Sequence, residues 1–148
     1  MLRAVITVVF LLTGSIPALA QGWHEPQRGT ELRAALMDAL RPHAAWLLGA
    51  PVEFMVHELR VSGDLGFASV SPQRPGGGAI QLWQTPGVAR GEIDPQMEGG
   101  VTMQALYLRS GRTWVAVHWA MGASDVWYAY GPICAIWRPV IPEACQGM

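Results

Sequence analysis

The chain has 148 residues, enough for one domain, with 51% hydrophobic and 14% charged residues. Its formal net charge is −1, and its basic residues are all arginines spread singly along the chain. That pattern excludes the concentrated positive field on which nucleic-acid binding depends.

Lysine and asparagine are both absent. The bias points to a GC-rich bacterial gene, and without asparagine no N-glycan can be attached. Met1–Ala20 reads as a secretory signal peptide: Arg3 supplies the charge, Ala4–Leu12 a short apolar core, and Ala18-Leu19-Ala20 the small-residue cleavage site. The apolar stretch is shorter than the roughly 20 residues of a spanning helix, so no membrane span is expected after cleavage. Gln21 at the new terminus, where a lipoprotein would carry cysteine, argues against a lipid anchor. The mature chain, 21–148, is expected to be a single α+β domain in the periplasm or secreted. Loss of Arg3 leaves it nine arginines against eleven carboxylates.

Gln21–Gly29 is a polar lead-in. In Thr30–Gly49, Leu32, Leu36, Leu40 and Leu47 recur at helical spacing, with Ala35, Ala39 and His43 on the same stripe. Thr30 is the expected N-cap, Glu31 places a negative charge in the first turn, and Gly49 followed by Pro51 marks the stop. Pro42 predicts a bend within this long helix.

Val52–Val61 alternates through Val52, Phe54 and Val56, then changes phase to Leu59 and Val61, which predicts a strand with a bulge near His57-Glu58. Ser62-Gly63-Asp64 turns the chain into a second strand, Leu65–Ser71, whose Gly66 and Ala68 would let a helix approach closely. From Pro72 to Gly100 prolines and glycines break the pattern. Only Ala79–Gln84 is expected to be extended, and Thr85–Gly100 forms a loop longer than ordinary connections. Val101–Arg109 and Thr113–Met121 form the second hairpin, across Ser110-Gly111-Arg112.

In the last strand Trp114, Ala116, His118 and Ala120 alternate with Val115, Val117, Trp119 and Met121, so both faces are apolar. One face is expected to meet the helix and the other Val126–Trp137 or a second chain. Val126–Trp137 is nearly uncharged and dense in aromatic residues, and it predicts an irregular flap. A disulfide between Cys134 and Cys145, the two cysteines of the chain, would close that flap in an oxidising compartment.

No phosphate loop, dinucleotide fingerprint or nucleophile elbow occurs. His57-Glu58 lacks the second histidine of a zinc helix motif. The four histidines, His24, His43, His57 and His118, fall on different elements, and only His57 and His118 lie on strands that can neighbour. No catalytic residue, metal or cofactor is therefore expected. Glu92, Asp94 and Glu98 cluster on the long loop without calcium-loop spacing, and Ser124-Asp125 reads as turn chemistry. Of the seven tryptophans, Trp46, Trp114 and Trp119 are assigned to the core, and Trp83 and Trp127 to contact with a partner.

The order of helix, hairpin, long connection and hairpin over Thr30–Met121 resembles the cystatin-like fold, in which a four-stranded antiparallel sheet wraps one long helix. The NTF2-like cone is a neighbouring architecture that normally brings further helices before the sheet. Cystatin inhibitors carry Gln-x-Val-x-Gly in a hairpin loop; here Gln96-Met97-Glu98-Gly99-Gly100 keeps the glutamine and the last glycine but has Glu98 for the valine. No Pro-Trp pair is present for the companion loop. These departures argue against cysteine-protease inhibition and leave the resemblance in fold.

The leading expectation is an exported, non-catalytic domain that binds a protein or small ligand through the 85–100 loop and the aromatic flap. The residues expected to carry it are Trp83, Glu92, Asp94, Gln96, Glu98, Trp127 and Tyr128. Two alternatives stand beside it. One is an NTF2-like enzyme or small-molecule pocket using His57 or His118 with Asp125. The other is a structural subunit that forms a homodimer through the second sheet face.

Overall fold

The computed structural model describes residues 22–96 and 99–148. The expected leader, Met1–Ala20, and Glu98 lie outside them. The leucine stripe forms helix α1, Glu31–Leu48, and buries Leu36, Leu40, Ala44 and Leu47 on one side. Thr30 caps it, its Oγ1 accepting from Arg33 N at 3.3 Å. The helix runs on through Pro42, whose ring sits exposed on the outer side. Gly49, at φ 77°, turns the chain out of the helix, and its N–H donates to Ala45 O.

The last turn of α1 holds no basic residue. Its last carbonyl is met from a distance by Arg74, which donates to Leu48 O at 2.8 Å and, just past the helix, to Gly49 O and to Pro51 O at 2.9 Å.

Four strands follow: β1, Glu53–Ser62; β2, Leu65–Gln73; β3, Met103–Ser110; and β4, Thr113–Met121. They form one antiparallel sheet in chain order. The architecture is thus α+β, one long helix on a four-stranded antiparallel sheet, as the patterning predicts. The β1–β2 register slips between Val56 and Glu58, which leaves His57 as the bulge where the alternation changes phase. A second slip lets Val117 bulge from β4. Gly66 makes the expected close approach: a Cβ there would lie 3.2 Å from Tyr107 Cβ and 3.4 Å from Leu36 Cδ2.

Between the hairpins the chain is more ordered than its breakers suggest. Leu82–Gln84 is a 3-10 turn where an extended piece is predicted, and Pro86–Ala89 is a short helix, α2. Thr85 caps α2 and Pro86 opens it, so a pair that reads as a breaker acts as a helix start. The C-terminal flap is irregular, as predicted, apart from one short helix. Gly131–Trp137 forms helix α3, again with a proline in its first turn.

The sheet separates two cores. On the α1 side Leu36, Leu40, Val61, Val70, Met103, Ala105 and Tyr107 pack together. On the flap side Phe67 and Leu106 lie under Trp137, Val140, Ile141 and the Cys134–Cys145 disulfide. The flap therefore covers the second apolar face over Phe67 and Leu106, while Leu108 and Val115 towards the β4 edge stay 39% and 41% exposed.

Tyr107 is fully buried, and among the described residues its hydroxyl has no hydrogen-bond partner. Burial pushes its phenol far above the ordinary value. Tyr107→Phe removes an unsatisfied polar atom and little else, so it is expected to stabilise the fold by about 1 kcal/mol, read from the urea midpoint.

Candidate functional site

The segment after β2 folds back over the C-terminal end of α1. Leu47, Leu48 and Ile93 form a third buried cluster, joined by Leu82, Val88, Val101, Trp119 and Met121. The fit is close at α2: a Cβ on Gly87 would lie 2.5 Å from Ile93 Cδ1 and 2.7 Å from Leu47 O. This apolar base is rigid by packing, and it carries an exposed polar and aromatic cluster.

Trp46 projects from α1 next to the buried Leu47 and is 61% exposed, which corrects its assignment to the core. Arg90 lies over the indole at 4.2 Å from the ring centroid. Its Nη2 donates to Trp46 O at 2.8 Å, and its Nε and Nη2 each donate to the Glu92 carboxylate at 2.9 Å. Trp46 Nε1 donates to the same carboxylate at 3.0 Å. The bonds from Arg90 first, and then that from Trp46, hold the Glu92 carboxyl below the usual carboxylate range. Arg90 is raised in turn by Glu92.

Trp83 stands on the 3-10 turn whose Leu82 enters the same cluster, and it is 66% exposed. Asp94 accepts from Gln96 N at 2.8 Å, and both side chains are exposed. Trp83, Glu92, Asp94 and Gln96 thus all belong to the segment seated on the α1 end.

Trp127 and Tyr128 lie on the other face of the sheet, with the flap. Tyr128 packs 5.1 Å from Phe67 and 5.4 Å from Trp127 between ring centroids, and Trp127 Nε1 donates to Gln104 Oε1 at 3.4 Å. Burial, followed by the charges of Glu58 and Glu143, pushes the Tyr128 phenol upward against the opposing effect of Arg60. A cleft of about 360 Å³ opens here, bordered by Glu58, Arg60, Phe67, Tyr128 and Glu143. Arg60 ties the flap to β1: it pairs with Glu58 at 2.7 Å and Glu143 at 2.6 Å, and it stacks 4.6 Å from the Trp23 ring. The loop and the flap therefore face opposite ways.

A wider cleft of about 700 Å³ lies between the first half of α1 and β1, lined in part by Arg28, Met37, Arg41, Phe54 and Met55. Two of its arginines are already engaged, Arg33 with Glu25 at 3.3 Å and Arg41 with Asp38 at 3.3 Å.

The two histidines of the enzymatic alternative are kept apart. β1 and β4 are opposite edges of the sheet, so His57 and His118 do not lie on neighbouring strands. Three strand spacings put them about 14 Å apart. His57 Nε2 bonds Ser71 Oγ at 2.7 Å, and His118 meets the Trp137 ring edge-on. Asp125 is exposed beyond the end of β4. Among the described residues no group of three or more His, Cys, Asp or Glu side chains is placed to hold a metal ion.

The Trp46–Arg90–Glu92 cluster joins residues more than forty positions apart, and nothing local announces it. The available signal is that position 46 falls beside the leucine stripe and not on it. Compared with known protein families, curated proteins and solved structures, the chain matches none of them.

Proposed function

We propose that this is an exported, non-catalytic domain that captures a partner protein through the surface formed by the C-terminal end of α1 and the 82–96 segment. The observation that carries the reading is Trp46, an indole held out in solvent by a stacked guanidinium and a shared carboxylate. Large exposed aromatics on a pre-ordered base lose little entropy on binding, and tryptophan and arginine dominate binding hot spots. Trp83 adds a second exposed indole, with Asp94 and Gln96 as polar neighbours. Tyr128 serves in this reading as the edge of the smaller cleft, and neither it nor Trp127 as the main contact. Export is supported by the leader-like Met1–Ala20 and by the buried Cys134–Cys145 bridge, which suits an oxidising compartment.

The test is affinity capture by the mature chain from periplasm or culture medium, followed by titration of the recovered protein. Trp46→Ala and Trp83→Ala are each expected to weaken binding at least about tenfold with the melting temperature unchanged. Undiminished capture by both variants, or unfolding of both, refutes the assignment.

A further inference from the structure

The smaller cleft, about 360 Å³, opens where β1 and β2 meet the flap. Its charged lining residues are Glu58, Arg60 and Glu143, so two carboxylates against one guanidinium leave a surplus of one negative charge. Arg60 has little left to offer. Its side chain is mostly buried, its Nη1 donates to Val140 O at 3.2 Å and to Glu143 Oε2 at 2.9 Å, and its Nη2 lies 2.7 Å from Glu58 Oε2. Glu58 and Glu143 are about half exposed and keep acceptor capacity. Among the described residues no hydrogen bond reaches Glu58 Oε1 or the Tyr128 hydroxyl. The remaining lining is apolar or aromatic, with Ile141 beside the Phe67 and Tyr128 rings, whose centroids are 5.1 Å apart.

We propose that this cleft binds a small aromatic amine in its protonated form. The groups present choose both the charge and the body. An anion would meet a guanidinium already shared by two carboxylates, and a neutral apolar ligand would strip water from Glu58 and Glu143 and put nothing in its place. A monocation cancels the surplus charge, donates to Glu58 and Tyr128, and lays its ring against those of the wall. Arg60 itself displays the mode: while paired with the carboxylates, its guanidinium lies 4.6 Å from the Trp23 ring centroid and 5.8 Å from that of Phe67. Burial raises the Tyr128 phenol, and Glu58 and Glu143 raise it further against Arg60, so the local field favours positive charge. Two carboxylates fall short of the ligand set a metal ion needs, and among the described residues no third His, Cys, Asp or Glu joins them. The volume lies at the low end of ligand pockets, enough for one ring and a short chain. The site shares no residue with the Trp46 and Trp83 surface, so it stands or falls apart from the proposed partner capture.

Titration of the mature chain with phenethylamine at neutral pH, followed by backbone amide chemical shifts, tests the site. The expected result is saturable binding with Kd below about 1 mM and shifts centred on Glu58, Phe67 and Tyr128. Two probes with a similar body separate charge from shape: 2-phenylethanol, which is neutral, and 3-phenylpropanoate, which is an anion. Each is expected to bind at least about tenfold more weakly. Nα-acetyl-lysine amide carries the same charge on a linear side chain and is also expected to bind more weakly, which sets a free aromatic amine apart from a lysine of a protein partner. Glu58→Gln leaves the Arg60–Glu143 pair in place and is expected to bring phenethylamine down to the level of 2-phenylethanol. No saturation at about 10 mM phenethylamine overturns the proposal. So do shifts centred elsewhere, equal binding of the alcohol or the anion, tighter binding of the lysine derivative, or a folded Glu58→Gln variant that binds the amine as before. The comparison of probes on the wild-type chain decides the matter even if that variant does not fold.

Discussion

Replacing Cys134 and Cys145 together by alanine is expected to cost about 3 kcal/mol of stability, the chain-entropy value for a loop of this length. The bridge spans a sequence separation of 11, and both sulfurs lie in the flap-side core. Without it, the segment over Phe67 and Leu106 must find its place through side-chain packing alone. The loss should be uneven. The α1-side core shares no disulfide, so amides of β2 and β3 should stay protected while those of Gly131–Cys145 exchange faster. Urea unfolding together with hydrogen exchange checks both parts. A loss below about 1 kcal/mol would mean that packing already holds the flap and the bridge adds little.

Trp137→Ala is expected to be at least as damaging, about 3–5 kcal/mol. Trp137 is buried at the centre of the flap core, and its Nε1 donates to Tyr107 O at 2.9 Å. The substitution opens a cavity between α3 and the sheet, removes the edge contact with His118, and strips a buried carbonyl of its donor. Trp137→Phe keeps much of the apolar area and should lose about 1–2 kcal/mol, mainly the hydrogen bond. The gap between the two variants separates packing from bonding. Since Trp137 and the disulfide hold the same segment, combining their losses should cost less than the sum.

How far the sequence could be read depended on whether each signal was local. α1 was legible because its leucines recur at 3.6-residue spacing between a threonine cap and a glycine stop. The β1 bulge was legible because one face is apolar and the other polar, so a slip of one residue shows as a change of phase. The same slip at Val117 left no trace, because β4 is apolar on both faces. α2 was hidden by Pro86-Gly87, a pair that ends structure in one setting and begins it in another.

The candidate site was harder to read. Trp83, Glu92, Asp94 and Gln96 are candidates by loop length and composition alone, and the structure seats their segment on the end of α1. Trp46 was misplaced, because an indole within an apolar helix reads as core until the arginine 44 residues away is known to stack on it. The expectation that His57 and His118 lie on strands that can neighbour fails on topology. A meander of two hairpins joined in sequence sends its first and last strands to opposite borders.

Arg74 lies one residue past β2, yet its guanidinium closes the end of α1. The helix is thus locked at one terminus by its own threonine and at the other by a side chain that arrives only with the first hairpin. An isolated peptide of residues 30–50 should wind from its amino end and fray at its carboxyl end. Complete closure of the final turn then waits on strand pairing, so one planar cation times the joining of the two halves of the fold.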